Sequence, residues 1–311
     1  MIINRQVLLL LVLIVATVSA RIGMTQERSY ESYQAVFNLP ARERAPFETV
    51  DVEIHHVAGS FYYLSGEGGN IGLSIGDDGI IMVDDQFAPL SEKIFAAIRT
   101  VSDADIQFLI NTHVHDDHVG GNLHLAEHGA EILAHENVRE RMMHGIRGNE
   151  PSPKEAWPIL TFVDPVKLYF NDEEVRIIPS PPAHTDGDIY VFFTKSNVLH
   201  LGDVFRTTGY PNIDVGNGGT LAGTIAGLEL ALDIAGPETK IVPGHGVVSS
   251  RKEVQELLDL TLEVKSRIAL LVEQGLSFEE IVAAKPTADL DDKWGSRLDR
   301  FLPGVYIGLT Q

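Results

Sequence analysis

The chain has 311 residues, of which 44% are hydrophobic, and this excludes a disordered, collagen-like or coiled-coil protein. Asp and Glu number 44 against 24 Lys and Arg, so the formal net charge is −20, and a chain this acidic is not expected to bind nucleic acid. It has no cysteine, so any metal site must use His, Asp or Glu.

The N-terminus has the pattern of a secretory signal peptide. Arg5 precedes the apolar run 7–15, and small residues follow it up to Ala20. We therefore predict a signal peptide at 1–20 and a periplasmic or secreted protein with no stable membrane anchor after cleavage. An uncleaved anchor is the alternative, although the apolar run is shorter than the roughly 20 residues that a membrane span needs. Residues 21–50 are polar and are predicted to be an N-terminal leader without an assigned function.

The remainder, 51–311, is predicted to be one domain that ends in helices. Period-two patterns predict strands at 52–54, 61–64, 71–75 and 80–83. Helices are then predicted at 91–100 and 118–127, and strands at 107–111 and 130–134. Later strands are predicted at 166–170, 175–179, 189–194, 198–201 and 240–242, and later helices at 221–234, 252–273 and 278–284. This order is typical of an α+β protein in which two sheets pack face to face with helices outside.

One segment, 145–165, has little periodicity and four prolines around Trp157. It is long for a simple connection. Two interpretations are open: a lid over a site, or a surface excursion with its aromatic residue packed onto the core.

A dense group of metal-binding residue types follows the strand predicted at 107–111. His113 and His115 are two apart at the strand end, so their side chains point the same way. Asp117 and His118 follow where the chain turns into a helix, and they could hold a second cation close to the first. Such a pattern, beside a Gly-Gly pair at 120–121 that permits close backbone approach, predicts a metal site.

Three further residues lie at the ends of apolar strands. They are His184 in Pro-Pro-Ala-His-Thr-Asp-Gly, Asp203 in Leu-His-Leu-Gly-Asp, and His245 in Ile-Val-Pro-Gly-His-Gly. Each alone has an ordinary structural explanation, such as capping a turn. Together they supply a plausible remainder of a site for two metal ions.

In this order, the seven residues resemble the ligand set of the metallo-β-lactamase superfamily, over roughly residues 50 to 265. The resemblance implies an αββα sandwich with the metals at one edge of two mixed sheets. It also implies which residues hold which ion: His113, His115 and His184 the first, Asp117, His118 and His245 the second, and Asp203 both.

The implied chemistry is hydrolysis with two Zn²⁺ ions per chain, although iron or manganese would also suit these donors. A water acidified between the ions would attack a lactam, lactone or ester carbonyl of a small-molecule acyl substrate. The resemblance gives Asp117 a catalytic role in orienting that water. A protein that binds a ligand through the metals without turnover is an alternative from another class.

The spacings between the predicted ligands distinguish the branches of the superfamily only in part. The 19 residues from His184 to Asp203 and the 42 from Asp203 to His245 resemble the zinc β-lactamases, and those enzymes have a cysteine at the Asp203 position. Arg206 is a candidate clamp for a substrate carboxylate, with a surface arginine as its alternative, and Asn217 is a candidate polarising contact.

A glyoxalase II-like thioesterase also has Asp203 together with His118. Residues 251–311 hold 11 acids and 8 bases, which does not suit the basic C-terminal helical site that glyoxalase II uses for its glutathione thioester. Export would also separate the protein from a cytosolic thioester pool. The sequence therefore favours an exported hydrolase of lactam, lactone or ester bonds, with β-lactamase activity as a main or side reaction.

Overall fold

The computed structural model describes residues 28–40, 43–145, 150–295 and 297–311. The predicted signal peptide, 1–20, and the start of the predicted leader lie outside the described residues. Within the described ranges, no helix combines the length and apolar character that a membrane span requires.

The first sheet has its strands in chain order, and its first half is a meander. Strands β1 (Glu53–Ala58), β2 (Phe61–Ser65), β3 (Ile71–Gly76) and β4 (Gly79–Val83) pair antiparallel through short turns. Strands β5 (Ile106–Ile110), β6 (Glu131–His135) and β7 (Leu160–Phe162) then add in parallel. Parallel addition requires a crossover before each strand, which explains the longer segments that precede them.

The second sheet is antiparallel except at one end. It consists of β8 (Val166–Phe170), β9 (Glu173–Pro179), β10 (Ile189–Phe193), β11 (Val198–His200) and β12 (Lys240–Val242). Its order is β12-β11-β10-β9-β8, and only β11 and β12 run parallel. Both sheets are therefore mixed, as predicted.

Helices connect the strands and cover the outer faces. They are α1 (Tyr30–Gln34), α2 (Ser91–Arg99), α3 (Asp116–Val119), α4 (Asn122–Glu127), α5 (Glu136–His144), α6 (Leu221–Ile234), α7 (Arg251–Glu273), α8 (Phe278–Ala283), α9 (Asp291–Trp294) and α10 (Leu298–Thr310).

The layers follow from the alternation of side chains along each strand. On β10, Val191 and Phe193 belong to a buried cluster between the sheets, where the ring of Phe193 lies 4.7 Å from that of Phe61 on β2. Tyr190 points the other way, into the cluster under α6, α7 and α10, and Leu73 of the first sheet lies in the cluster under α2. The predicted αββα sandwich is confirmed.

The helix predicted at 118–127 is wrong in its extent, because two short helices, α3 and α4, occupy that region. The break is at 120–121, where the chain presses against the segment after β4. A Cβ on Gly120 would lie 2.7 Å from the carbonyl oxygen of Gln86, and the backbone N–H of Gly121 donates to Asp85 Oδ1 at 2.9 Å.

Four elements of the described residues were not predicted: β7, α5, α10 and the four-residue helix α9. Strand β7 has three residues and lies inside the aperiodic segment. Helix α5 is mostly polar and buries only Val138 and Met142, while α10 contains Pro303, which is unfavourable inside a helix. The local sequence of β7, α5 and α10 therefore does not predict their conformation, which depends on packing against the rest of the fold.

The described part of the predicted leader is packed against the domain. The hydroxyl of Tyr30 lies 2.7 Å from the carbonyl oxygen of Ile213 and 3.0 Å from that of Arg300 on α10. Tyr33 meets Phe278 of α8 edge to face with ring centres 5.1 Å apart. Residues 28–37 are thus tied to the C-terminal helices.

Candidate metal centre

The sandwich places its functional side chains at one edge of the two sheets. His113 and His115 follow β5, His184 follows β9, Asp203 follows β11, and His245 follows β12. The structure brings all seven predicted ligands together. They form three groups, in each of which the donor atoms lie within 4.8 Å of one another. The first group is His113, His115 and His184, and the second group is Asp117, His118 and His245. His113, His118 and Asp203 form a further group that joins these two.

The ring of His113 is oriented by a short hydrogen-bond chain. Thr112 donates its hydroxyl proton to Asp84 Oδ2 at 2.7 Å, so its oxygen accepts from Nδ1 of His113 at 3.0 Å. Nε2 of His113 therefore carries no proton in the neutral ring. It faces the other two histidines of the first group.

The other two histidines of the first group are held in the same manner. His115 donates from Nε2 to Asp214 Oδ2 at 2.6 Å, and His184 donates from Nδ1 to the carbonyl oxygen of Asn212 at 2.7 Å. The remaining nitrogens, Nδ1 of His115 and Nε2 of His184, lie 2.8 Å apart. In neutral rings these are two electron pairs that repel each other unless a cation lies between them.

The second group is built around His118, whose side chain is fully buried. Its Nδ1 donates to Asp84 Oδ2 at 2.7 Å, which turns Nε2 toward Asp203 and Asp117 at 3.3 and 4.0 Å. His245 completes the group, with its Nε2 3.3 Å from Asp117 Oδ2.

Asp203 lies between the two groups and directs one oxygen to each. Its Oδ1 is 3.3 Å from Nε2 of His118 and 3.2 Å from Nε2 of His245. Its Oδ2 is 3.6 Å from Nε2 of His184. A carboxylate with this orientation can bind two cations at once.

A buried nitrogen atom gives a further indication that these residues suit a bound metal ion. Nε2 of His113 is buried and has no hydrogen-bond partner among the described residues. A buried polar atom without a partner costs about 1–3 kcal/mol, and a bound cation would remove that cost.

The two groups differ in the charge that they favour. Burial, together with the neighbouring histidines, lowers the pKa of His113 well below its ordinary value and that of His184 to about 3. Burial also opposes the charge of His118 and His245, but nearby carboxylates outweigh it, Asp84 foremost at His118 and Asp203 at His245, and raise both pKa values. The rings of His113 and His184 are therefore neutral, whereas His118 and His245 are charged imidazoles paired with carboxylates.

Two glycines let the chain pass close to the ligands. A Cβ on Gly69 would lie 2.1 Å from the ring of His118, and a Cβ on Gly244 would lie 2.1 Å from Asp203 Oδ1. Only glycine fits at these positions without moving a ligand.

Four of the predicted ligands, His115, Asp117, Asp203 and His245, line an open cleft of about 1720 Å³. Arg206, which is 2% exposed, also lines the cleft, and its Nη2 donates to the hydroxyl of Thr208 at 3.1 Å. Residues within 31–40 of the predicted leader form one wall of the cleft, and among them Leu39 has 63% of its surface exposed.

None of residues 150–165 lines the cleft, and the carbonyl oxygen of Ala156 instead accepts from Asn122 at 2.9 Å. For the described part of 145–165, this favours the surface excursion over the lid.

Asn217 lies outside the group of cleft residues. It is 2% exposed, its amide nitrogen donates to Asp214 at 2.7 Å, and its amide oxygen accepts from Arg141 at 3.2 Å. Because both ends of the amide have partners inside the protein, the structure does not place it as the predicted polarising contact for substrate.

Two acids that orient the ligands, Asp84 and Asp214, are not among the predicted site residues. A signal for Asp84 existed, because Asp84 directly follows the apolar strand at 80–83, as the predicted ligands follow theirs. Asp214 lies in an irregular loop, and nothing in the local pattern marks it.

The fold and the site define an αββα sandwich protein with a histidine and aspartate metal centre at one edge of its sheets. The chain belongs to the metallo-β-lactamase superfamily, whose family model matches residues 65–245. The predicted resemblance is confirmed, and membership of this family supports a metal-dependent hydrolase.

A curated relative is the hydroxyacylglutathione hydrolase of Rhodospirillum rubrum, 29% identical over 133 residues. That alignment covers 42% of this chain and 46% of the relative, so the chain spans about half of the relative's length.

Two solved structures share the fold. The metallo-β-lactamase from Pontibacter korlensis has a TM-score of 0.58 and 15% identity, covering 68% of this chain and 99% of that one. The stereoselective inverting sec-alkylsulfatase Pisa1 from Pseudomonas sp. has a TM-score of 0.65 and 16% identity, covering 82% and 50%.

Proposed function

We propose that the protein is an exported hydrolase that uses two zinc ions to open a lactam, lactone or ester bond. The observation that carries the proposal is the orientation of Asp203, with one carboxylate oxygen toward His118 and His245 and the other toward His184. A bridging carboxylate between two sets of nitrogen donors suits a pair of zinc ions. When bound, zinc supplies acidification of a water and polarisation of the substrate carbonyl.

Asp117 is the residue suited to orient the attacking water. Its side chain is 27% exposed and lines the cleft, unlike the fully buried side chain of His118. Burial favours its neutral form, but His118 and His245 outweigh that effect and hold its pKa below the ordinary value. The Asp117 carboxylate therefore stays ionised near neutral pH and acts as a hydrogen-bond acceptor for the water, not as an acid.

Arg206 is suited to hold an anionic group of the substrate. It lines the same cleft as the ligands and comes three residues after Asp203. A guanidinium can grip a carboxylate with two hydrogen bonds, which would fix the distance between that carboxylate and the bond to be opened.

Export is supported by the signal-like pattern before Ala20 and by the lack of cysteine, which suits an oxidising compartment. N-terminal sequencing of protein recovered from the periplasm or medium tests this part separately. A mature N-terminus at Arg21 is expected, and an intact Met1 would contradict cleavage.

The test of the chemistry uses purified mature protein with and without a chelator. The substrates are a chromogenic cephalosporin, a lactone and an acyl thioester, and zinc content is measured on the same sample. We expect about two zinc ions per chain and turnover that the chelator abolishes. His245→Ala is expected to lose turnover, whereas His124→Ala, a histidine outside the three ligand groups, serves as the matched control.

The outcomes separate the alternatives. Full zinc loading without turnover of any substrate would contradict the hydrolase and favour a protein that binds through its metals. A protein that binds no zinc even after reconstitution would contradict the ligand assignment. The preferred substrate selects the branch of the family.

A glyoxalase II-like thioesterase is the second candidate. The Rhodospirillum rubrum relative carries the name hydroxyacylglutathione hydrolase, and this chain shares with glyoxalase II the combination of Asp203 and His118. Turnover of the thioester well above that of the lactone and cephalosporin would favour this candidate.

A further inference from the structure

We propose that Arg141, on the outer helix α5, is a positioning residue for the metal ligand His115. The link runs through Asp186, Asn217 and Asp214, none of which belongs to the ligand set. This inference rests on the proposed zinc site and adds to it a residue that controls how tightly the first ion is held.

The inner step of the link is the carboxylate of Asp214. Its Oδ2 accepts from Nε2 of His115 at 2.6 Å and from the amide nitrogen of Asn217 at 2.7 Å. Asp214 is 1% exposed, so water does not compete effectively for these bonds. The carboxylate position determines where the ring of His115 points, and hence where its Nδ1 lies.

The same loop holds another ligand of the first ion. The backbone N–H of Asp214 donates to the carbonyl oxygen of His184 at 2.9 Å, and His184 donates from Nδ1 to the carbonyl oxygen of Asn212 at 2.7 Å. Two of the three predicted first-site ligands therefore depend on the position of loop 212–217.

The outer step fixes the orientation of the Asn217 amide. Arg141 donates from Nη1 to Asn217 Oδ1 at 3.2 Å, which leaves the amide nitrogen to face Asp214. If the amide turned over, its oxygen would face the Asp214 carboxylate, and two acceptors would repel. The guanidinium of Arg141 thus selects the orientation that supports His115.

Arg141 is itself held by a two-pronged ion pair. Its Nε and Nη2 donate to the two carboxylate oxygens of Asp186 at 2.8 and 2.6 Å. Asp186 is joined to the same loop, because its backbone N–H donates to the carbonyl oxygen of Asn217 at 3.0 Å. Both side chains of the pair are 27% exposed. Since such pairs add little to stability, geometry is the main contribution of this one.

The test compares Arg141→Ala with Arg139→Ala in a His245→Ala background, which retains the three histidines of the first site. Arg139 lies on the same helix but contacts Trp157 and the carbonyl oxygen of Pro158, away from the link. Zinc affinity is measured by competition with a chromogenic chelator, and the Co²⁺-substituted protein supplies a visible spectrum. We expect Arg141→Ala to bind zinc about threefold to tenfold more weakly and to change the spectrum, scaled down from the tenfold or more seen for direct partners of metal ligands.

Arg139→Ala is expected to leave both zinc affinity and spectrum as in the parent. Arg141→Lys keeps the positive charge but lacks the planar set of N–H donors that the guanidinium offers. It is expected to recover only part of the zinc affinity. If Arg141→Ala matches Arg139→Ala in both affinity and spectrum, the proposal is overturned.

Asn217→Ala interrupts the same link while leaving the ion pair of Arg141 with Asp186 intact, and it decides the question if Arg141→Ala does not fold. Weaker zinc binding by this variant supports the proposal, and parental binding overturns it. The proposed function fails independently: zinc binding by the wild type without turnover would contradict the hydrolase alone. A His245→Ala parent that binds no zinc would contradict the first site itself, and this inference with it.

Discussion

Asp84 Oδ2 lies 2.7 Å from Nδ1 of His118, and neither side chain is exposed to solvent. Asp84 also accepts from the backbone N–H and the hydroxyl of Thr112, each at 2.7 Å, next to the ligand His113. It occupies the left-handed region with φ 60°, a conformation that costs free energy and persists only where the surroundings require it. One buried carboxylate thus orients a ligand of each predicted metal ion.

We predict that Asp84→Asn weakens zinc binding about tenfold to a hundredfold, the range for partners of metal ligands. The amide would present an N–H₂ group to donors that now meet a carboxylate oxygen, which leaves a buried group without a partner. Competition with a chelator measures the change. Asp105→Asn, whose side chain is 79% exposed, is the control, and equal affinities in the two variants would contradict the role of Asp84.

Gly69→Ala is expected to remove the second zinc ion and nearly all activity, because the added Cβ would lie 2.1 Å from the ring of His118. Gly236→Ala is the matched control, since its Cβ would meet only Thr239 Oγ1, at 3.6 Å. Zinc content by elemental analysis distinguishes the two variants. A Gly69→Ala protein with two zinc ions per chain would show that the loop yields to the methyl group.

Proton release on metal binding is predicted to differ between the two sites. The pKa values of His118 and His245 are raised, so near neutral pH a metal must displace protons from them. The pKa values of His113 and His184 are lowered, so a metal finds these rings already neutral. As the pH falls from about 8 to about 6, the affinity of the second site should drop more steeply than that of the first.

Titration calorimetry in buffers of different ionisation enthalpy measures these protons. His245→Ala isolates the first site, and its proton release is subtracted from that of the wild type. Equal release at the two sites would contradict the assignment of charged imidazoles to the second.

Arg206→Ala is predicted to raise KM for substrates that carry a carboxylate, by about tenfold or more, because a charge-assisted hydrogen-bond pair is lost. Neutral lactones should be affected much less. Steady-state kinetics on one charged and one neutral substrate give the comparison. An equal rise in KM for both would indicate that Arg206 supports the cleft wall and does not bind the anion.

Leu39→Ser is predicted to flatten the dependence of kcat/KM on acyl chain length. Leu39 is 63% exposed and lines the cleft, so it offers an apolar surface to the part of a substrate beyond the reacting bond. A fully buried methylene contributes about 0.8 kcal/mol, and a partly exposed contact should contribute less. Leu270→Ser, at a position 57% exposed and outside the cleft lining, is the control. The same dependence of kcat/KM on acyl chain length in both variants would show that Leu39 does not contact the substrate.

The sequence by itself determined the fold class and the set of candidate ligands. Periodicity of two marks strands wherever one face is buried, and side chains at the ends of neighbouring strands meet at one sheet edge. His113, His184 and Asp203 were therefore identified by their positions after apolar strands, although they are far apart in the chain.

Tertiary structure alone decided which atoms face the metals and what encloses the site. Asp84 and Asp214 orient ligand rings from positions 34 and 99 residues away from their histidine partners, and no local pattern encodes such long-range hydrogen bonds. The wall of the cleft built by 31–40 arises because Tyr30 and Tyr33 contact the C-terminal helices at the other end of the chain. Local sequence patterns report on burial and backbone conformation, whereas these contacts depend on where distant segments meet when the sandwich closes.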